Sequence, residues 1–106
     1  MAKYEIINGA AIIPEGTIRI KDDAFKDCRE VKSVTIPDLV TTIGDDAFIN
    51  CTGLKSITIG NSVTTIGDKA FAGCTGLASI TIPDSVTSIG KSAFYNCQGL
   101  KIHQDE

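Results

Sequence analysis

The chain repeats itself every 23 residues. Ile13–Thr35, Ile36–Thr58, Ile59–Thr81 and the segment from Ile82 onward follow one pattern, Ile-Pro-x-x-Val-Thr-x-Ile-Gly-Asp-x-Ala-Phe-x-x-Cys-x-Gly-Leu-x-Ser-Ile-Thr. The second and third copies are identical at 16 of 23 positions. A fixed period of 20–29 residues with Ile and Leu at constant phase is the mark of a solenoid. One such repeat cannot bury its own apolar face, so neighbours must stack.

The 106 residues suffice for one domain, and 42% hydrophobic content suits a folded chain. Net charge is −3, with nine acids and six bases through Gly53 and four of each afterwards. Neither half has the clustered Lys and Arg of a nucleic-acid surface. No apolar run approaches the roughly 20 residues of a membrane span, so membrane insertion is not expected. Met1-Ala2-Lys3-Tyr4-Glu5 lacks the apolar centre of a signal peptide. The expected setting is the cytoplasm, or a fragment of a surface protein.

Stacking at a fixed period brings equal positions together about 4.8 Å apart. Phe25, Phe48, Phe71 and Phe94 then form one ladder, and Cys28, Cys51, Cys74 and Cys97 another. Within a coil, Leu77–Ile82 ends in strand alternation, with Ile80 and Ile82 inward and Ser79 and Thr81 outward. Val86–Ile89 reads as a second short strand with Val86 and Ile89 inward, and Gly90 turns the chain. The Ala-Phe segments predict a short helical turn, capped by Asp45, Asp68 or Ser92 and closed by a left-handed Gly53, Gly76 or Gly99. Residues 1–12 read as a capping hairpin with a type I′ turn at Asn8-Gly9, and residues 13–106 as the solenoid. At the far end, Leu100-Lys101-Ile102 starts a strand that gives way to a polar tail, His103–Glu106.

The motif Ile-Pro-x-x-Val-Thr-x-Ile-Gly-x-x-Ala-Phe-x-x-Cys-x-x-Leu-x-x-Ile, in phase four times over about Ala10 to Leu100, resembles the BspA-like (Treponema pallidum-type) leucine-rich repeat. The resemblance implies a right-handed solenoid, mainly β with short helical turns, of about four coils plus the N-terminal hairpin. It also implies kinship with bacterial surface proteins that act in adhesion and protein binding, and no shared catalytic residues. The chain departs from the pattern at Gly60, which replaces proline, and in the first copy at Ile18, Lys21 and Glu30.

Chemistry-bearing residues have plain readings. Zinc ligands sit two to four residues apart in each pair, whereas these cysteines are 23 apart and point the same way. They are expected as reduced structural thiols, with disulfides between neighbouring coils the alternative. The Asp22-Asp23 and Asp45-Asp46 pairs give way to Asp68-Lys69 and Lys91-Ser92, which breaks any calcium-binding row. His103, the single histidine, has no partner to orient it for catalysis. No metal or other cofactor is expected. Asn50-Cys51-Thr52 matches a glycosylation acceptor, but its cysteine belongs to the core row.

Surfaces remain. Ser33, Thr35, Ser56, Thr58, Ser79 and Thr81 form an outward row on the main sheet, bordered by Lys32, Lys55 and Lys101. Leu39, Ile49 and Tyr95 place apolar side chains where other copies are polar or small. These are the candidate protein contacts. About five strands of four residues give a face on the order of 300 Å², against roughly 800 Å² per partner in a standard interface. Flanking surfaces must therefore contribute to any tight complex. The reading is a non-enzymatic protein-interaction module with a protein partner. The alternative is a self-associating, or designed and consensus-like, structural solenoid without a ligand.

Overall fold

A computed structural model of the chain describes residues 4–104 as short strands joined by turns. The strands are β1 (Glu5–Ile7), β2 (Ala10–Ile12), β3 (Arg19–Ile20), β4 (Ser33–Thr35), β5 (Thr42–Ile43), β6 (Ser56–Thr58), β7 (Thr65–Ile66), β8 (Ser79–Ile82), β9 (Ser88–Ile89) and β10 (Lys101–Gln104). They form two stacks because each repeat carries two alternating runs. The first stack is β2, β4, β6, β8 and β10, with β1 added antiparallel at the outer edge of β2; the second is β3, β5, β7 and β9.

Pairing within both stacks is parallel and follows the repeat. Ser33 faces Ser56, Val34 faces Ile57, and Thr42 faces Thr65, each 23 residues on. Equal phases meet, so every inward apolar residue lands on another. Between β6 and β8 the hydrogen-bonded ladder is interrupted, although the strands remain neighbours. At β10 the offset shortens to 22, which sets Ile102 opposite Ile80 rather than one place out of phase. A one-residue shift in register exchanges the two faces of a strand. Here it brings an isoleucine to the apolar phase. The polar tail expected from His103 is therefore strand as far as Gln104, while Asp105 and Glu106 lie outside the described residues.

Phe25, Phe48 and Phe71 are buried and stack with ring centroids 5.1 and 5.3 Å apart; Phe94 follows at 5.7 Å. Tyr4 begins the same column, 5.2 Å from Phe25. These separations fall in the favourable range for offset rings. The ladder inferred from periodicity is thus one step longer, and its extra ring comes from the hairpin. Asn8 and Gly9 both take positive φ, as a type I′ turn requires.

The third side of each coil is turn, not helix, and this corrects the expected helical turn. Asp23, Asp46, Lys69 and Ser92 have left-handed φ of 56–63°, and Asp27, Asn50, Gly73 and Asn96 are left-handed four residues later. Two left-handed residues per turn are incompatible with a right-handed helix. Intracoil bonds such as Ala24 N–H to Lys21 O alternate with intercoil bonds. Asp23, Phe25 and Asp27 donate to Asp45, Ala47 and Ile49 of the next coil. The left-handed glycine expectation holds only for Gly99. Gly53 and Gly76 are needed for clearance instead: a Cβ would stand 2.5 Å from Arg29 O and 2.9 Å from Thr52 O.

The expected caps are also intercoil contacts. Asp22, Asp45 and Asp68 each accept, through Oδ1, the backbone N–H of the equivalent residue one coil on, at 2.8–2.9 Å. Ser92 is itself one of the left-handed residues. On the second stack, Thr41, Thr64 and Thr87 donate their hydroxyls to Ile18, Thr41 and Thr64 carbonyls. Gly44, Gly67 and Gly90 lie so close to the preceding aspartates that a Cβ would meet them at 2.4–2.6 Å.

This accounts for the divergent first copy. Ile18 stands where a threonine would reach back to a preceding coil, and Lys21 and Glu30 stand where a preceding coil demands glycine. No coil of this kind precedes them in the described residues, so those constraints lapse. Lys91 is the mirror case: it replaces the aspartate that would accept from a following coil.

Candidate interaction surface

Of the row predicted on the main sheet, Lys32, Thr35, Lys55, Ser56, Thr58, Ser79 and Thr81 are exposed, and Ser33 is half-buried. The strand pleat puts Val34, Ile57 and Ile80 between them, on the core side. Lys32 is less free than expected, because its stem lies where a Cβ on Gly9 would meet it at 3.0 Å.

The apolar candidates separate. Leu39 is 59% exposed and Tyr95 70%. Ile49 is half-buried, so it is not the exposed contact it was expected to be. Its turn packs between the first and third coils, where its carbonyl accepts from Asp27 N–H. Leu39 and Tyr95 also belong to different parts of the fold, one after β4 and the other in the last turn.

The structure brings Ser33, Thr35, Thr58 and Leu39 together around one groove of about 690 Å³. Its floor is Ala11, Ile36 and Ile59, all buried. The hydrogen-bond register between β2 and β4 ends at Ala11–Val34, whereas β4 and β6 stay paired to Thr35–Thr58. The groove lies where the first two strands part. Gly60 lines it where the neighbouring copies carry Pro37 and Pro83, and a Cβ there would be 2.7 Å from the Ile36 and Pro37 carbonyls. Glycine thus permits the third coil to lie this close to the second. On its other side a smaller recess of about 210 Å³, lined by Thr58, Ile59, Thr81 and Pro83, sits beside the interruption between β6 and β8. In the sequence Gly60 reads only as a departure; its replacement of a proline ring was the available signal for a close approach at this phase.

The thiols form a row of their own. Cys51, Cys74 and Cys97 donate to the carbonyls of Phe25, Phe48 and Phe71 at 3.1, 3.2 and 2.9 Å. Cys28 has no earlier coil and turns to Glu30 Oε1 at 3.4 Å. Burial pushes Cys51 up to about 12. The adjacent Cys97 sulfur and burial raise Cys74. The adjacent Cys74 sulfur holds Cys97 down at about 7, against the effect of burial. Burial raises Cys28, and Glu30 reinforces it. Among the described residues no three His, Cys, Asp or Glu side chains group as metal ligands, and no helix is long and apolar enough to cross a membrane.

The family model for the BspA type leucine rich repeat region (6 copies) matches residues 7–104. The chain belongs to that family. A leucine-rich repeat protein from Bacteroides capillosus superposes with a TM-score of 0.76 at 28% identity, covering 90% of this chain and 72% of that one. The T. pallidum leucine rich repeat protein gives 0.75 at 27%, covering 90% of this chain and 58% of that one. A leucine rich cell surface protein from Faecalibacterium prausnitzii gives 0.75 at 35%, covering 92% and 32%. This BspA-type chain therefore spans less than two thirds of two of the three. A comparison with curated proteins finds no match.

Proposed function

We propose that this leucine-rich repeat chain is a non-enzymatic protein-interaction module, allied in role to bacterial cell-surface repeat proteins, that binds through the face of its main sheet. The observation that carries this reading is the row Thr35, Thr58 and Thr81, exposed at equal phase on successive strands, with Thr35 and Thr58 lining the groove beside Leu39 and Thr81 the smaller recess next to it. A parallel ladder fixes the backbone under that row, so little order is lost when a partner docks. Catalysis needs unlike groups converging on one point. These coils present like groups in rows, and His103 lies exposed on the edge strand β10.

The test is selection of binders from a displayed protein-fragment library, followed by measurement against Thr35→Gln/Thr58→Gln/Thr81→Gln. Larger neutral side chains on the exposed face should leave thermal unfolding nearly unchanged and weaken sheet-face binders by about tenfold or more. Binders that keep full affinity for the triple variant place the site elsewhere.

A second reading, self-association, is favoured by one observation: Ile89 and Ile102 are 47% and 50% exposed at the C-terminal end. Sedimentation equilibrium separates the two. A dimer or fibre lost on Ile89→Ser/Ile102→Ser supports assembly, and a monomer at all concentrations removes it.

A further inference from the structure

We infer that the groove beside Leu39 receives a short extended peptide segment that carries an aliphatic side chain next to a lysine or arginine; this rests on the interaction role proposed above and names the partner's chemistry. Three features of the groove select that occupant. Its floor is apolar, and two of the chain's exposed large apolar side chains, Ile12 and Leu39, flank it. Its charged lining is Glu15 and Asp38, and no Lys, Arg or His lines it. Thr35 and Thr58 supply hydroxyls on the strand side.

Dimensions fix the length. The groove crosses the coils of β2, β4 and β6, two steps of about 4.8 Å, which matches about three residues of extended chain at ~3.3 Å each. An apolar side chain on the floor removes Ile12 and Leu39 from water, which is the main favourable contribution in such a site. Two carboxylates with no cation among the lining residues favour a basic neighbour and disfavour an acidic one. The acids do not form a metal-ligand group with any third residue, so a cationic side chain, rather than a bare ion, is the species they suit. The groove lies where the β2–β4 ladder ends early, at Ala11–Val34, while β4 and β6 stay paired one residue further.

The probes are two acetylated, amidated hexapeptides, Lys-Leu-Lys-Val-Lys-Leu and its Glu-for-Lys counterpart, titrated into isotope-labelled full chain and followed by amide chemical shifts. The basic peptide should shift Thr35, Leu39, Thr58 and Gly60 and bind about tenfold or more tightly than the acidic one. Its affinity should fall severalfold between about 50 and about 500 mM salt. Glu15→Gln/Asp38→Asn should bring it to the level of the acidic peptide, and Leu39→Ser should weaken it about threefold or more. Both variants alter exposed positions, and unchanged thermal unfolding confirms that they fold. Equal or tighter binding of the acidic peptide, shifts confined to the C-terminal turn, or no shift with either peptide at millimolar concentration each overturns the inference. A dimer that Leu39→Ser dissolves also overturns it, by giving the groove to a second copy. If library binders still depend on Thr35, Thr58 and Thr81 while both peptides fail, the peptide assignment falls and the interaction role stands. If both fail, both fall.

Discussion

The two ends of the solenoid are finished in different ways. At the N-terminal end, hairpin β1–β2 adds an antiparallel edge and Tyr4 lies on Phe25, which stays buried. The first coil has also lost the residues that would contact an earlier one, with Ile18, Lys21 and Glu30 in place of threonine and two glycines. At the C-terminal end, β10 covers only the main sheet. Beyond β9 and the last turn nothing is stacked in the described residues. Ile89 is 47% exposed where Ile20, Ile43 and Ile66 are fully buried, and Phe94 is half-buried. The equivalents of Ser92, Phe94 and Asn96 in earlier coils donate forward, but these three N–H groups find no backbone partner among the described residues. A stack is closed at its start by a cover and by altered contacts. Among the described residues, the last coil has one altered contact, Lys91, and half a cover.

This contrast can be broken by comparing like substitutions at unlike ends. Phe25→Ala should cost about 3–5 kcal/mol, the usual loss for a buried ring, while Phe94→Ala, already half-solvated, should cost roughly half as much. Urea unfolding of both variants measures it, and equal losses would show that the last coil is as well covered as the first.

Glycine positions give the next largest difference. Gly44→Ala drives a Cβ against Asp22, which stands 2.4–2.5 Å away at its nearest atoms. The expected loss is about 1–3 kcal/mol, as for overpacking. Lys21→Gly, at the same phase in the first coil, should stay within about 1 kcal/mol, the cost of added backbone freedom. A tolerated Gly44→Ala would mean the coils separate easily.

The aspartate row gives a smaller test. Asp45→Ala leaves Asp68 N–H without its acceptor, at a cost of about 1–2 kcal/mol. Lys91→Ala removes no such bond and should lie within about 0.5 kcal/mol. Thermal unfolding of the pair decides it.

The last test leaves stability untouched and reads the two end thiols. Cys97, held near 7, is mostly thiolate above that pH, whereas Cys28 is raised by burial and by Glu30. Iodoacetamide at pH 7.5 should therefore label Cys97 first, with a rate that rises through pH 7, and Cys28 later. Mass spectrometry of the digested chain gives the order. Faster labelling of Cys28 would reverse the assignment of the more open end.

Much of this fold was legible because a repeat turns one inference into four. The phase of Phe71 fixes that of Phe25, Phe48 and Phe94, and the parallel strands follow from the same period. The helical turn does not form because each Ala-Phe pair is flanked on both sides by left-handed residues, a feature that a capping Asp and a closing Gly do not reveal. Read down the copies, the position two after Phe is Asp27, Asn50, Gly73 and Asn96, all suited to left-handed backbone. The aspartates were misassigned for a related reason: a cap is a local contact, and these side chains act 23 residues away. The candidate surface was half legible. Alternation identifies Thr35, Thr58 and Thr81 as outward, but a groove is a gap between coils, set by where β2 and β4 part, and one repeat's pattern does not contain it.

The aromatic column has a spectroscopic consequence. The chain has two tyrosines and no tryptophan. Tyr4 rests on a phenylalanine ring at the covered start, and Tyr95 stands 70% exposed in the final turn. Fluorescence of Tyr4→Phe and Tyr95→Phe variants would therefore follow each extremity separately during unfolding, with no label attached.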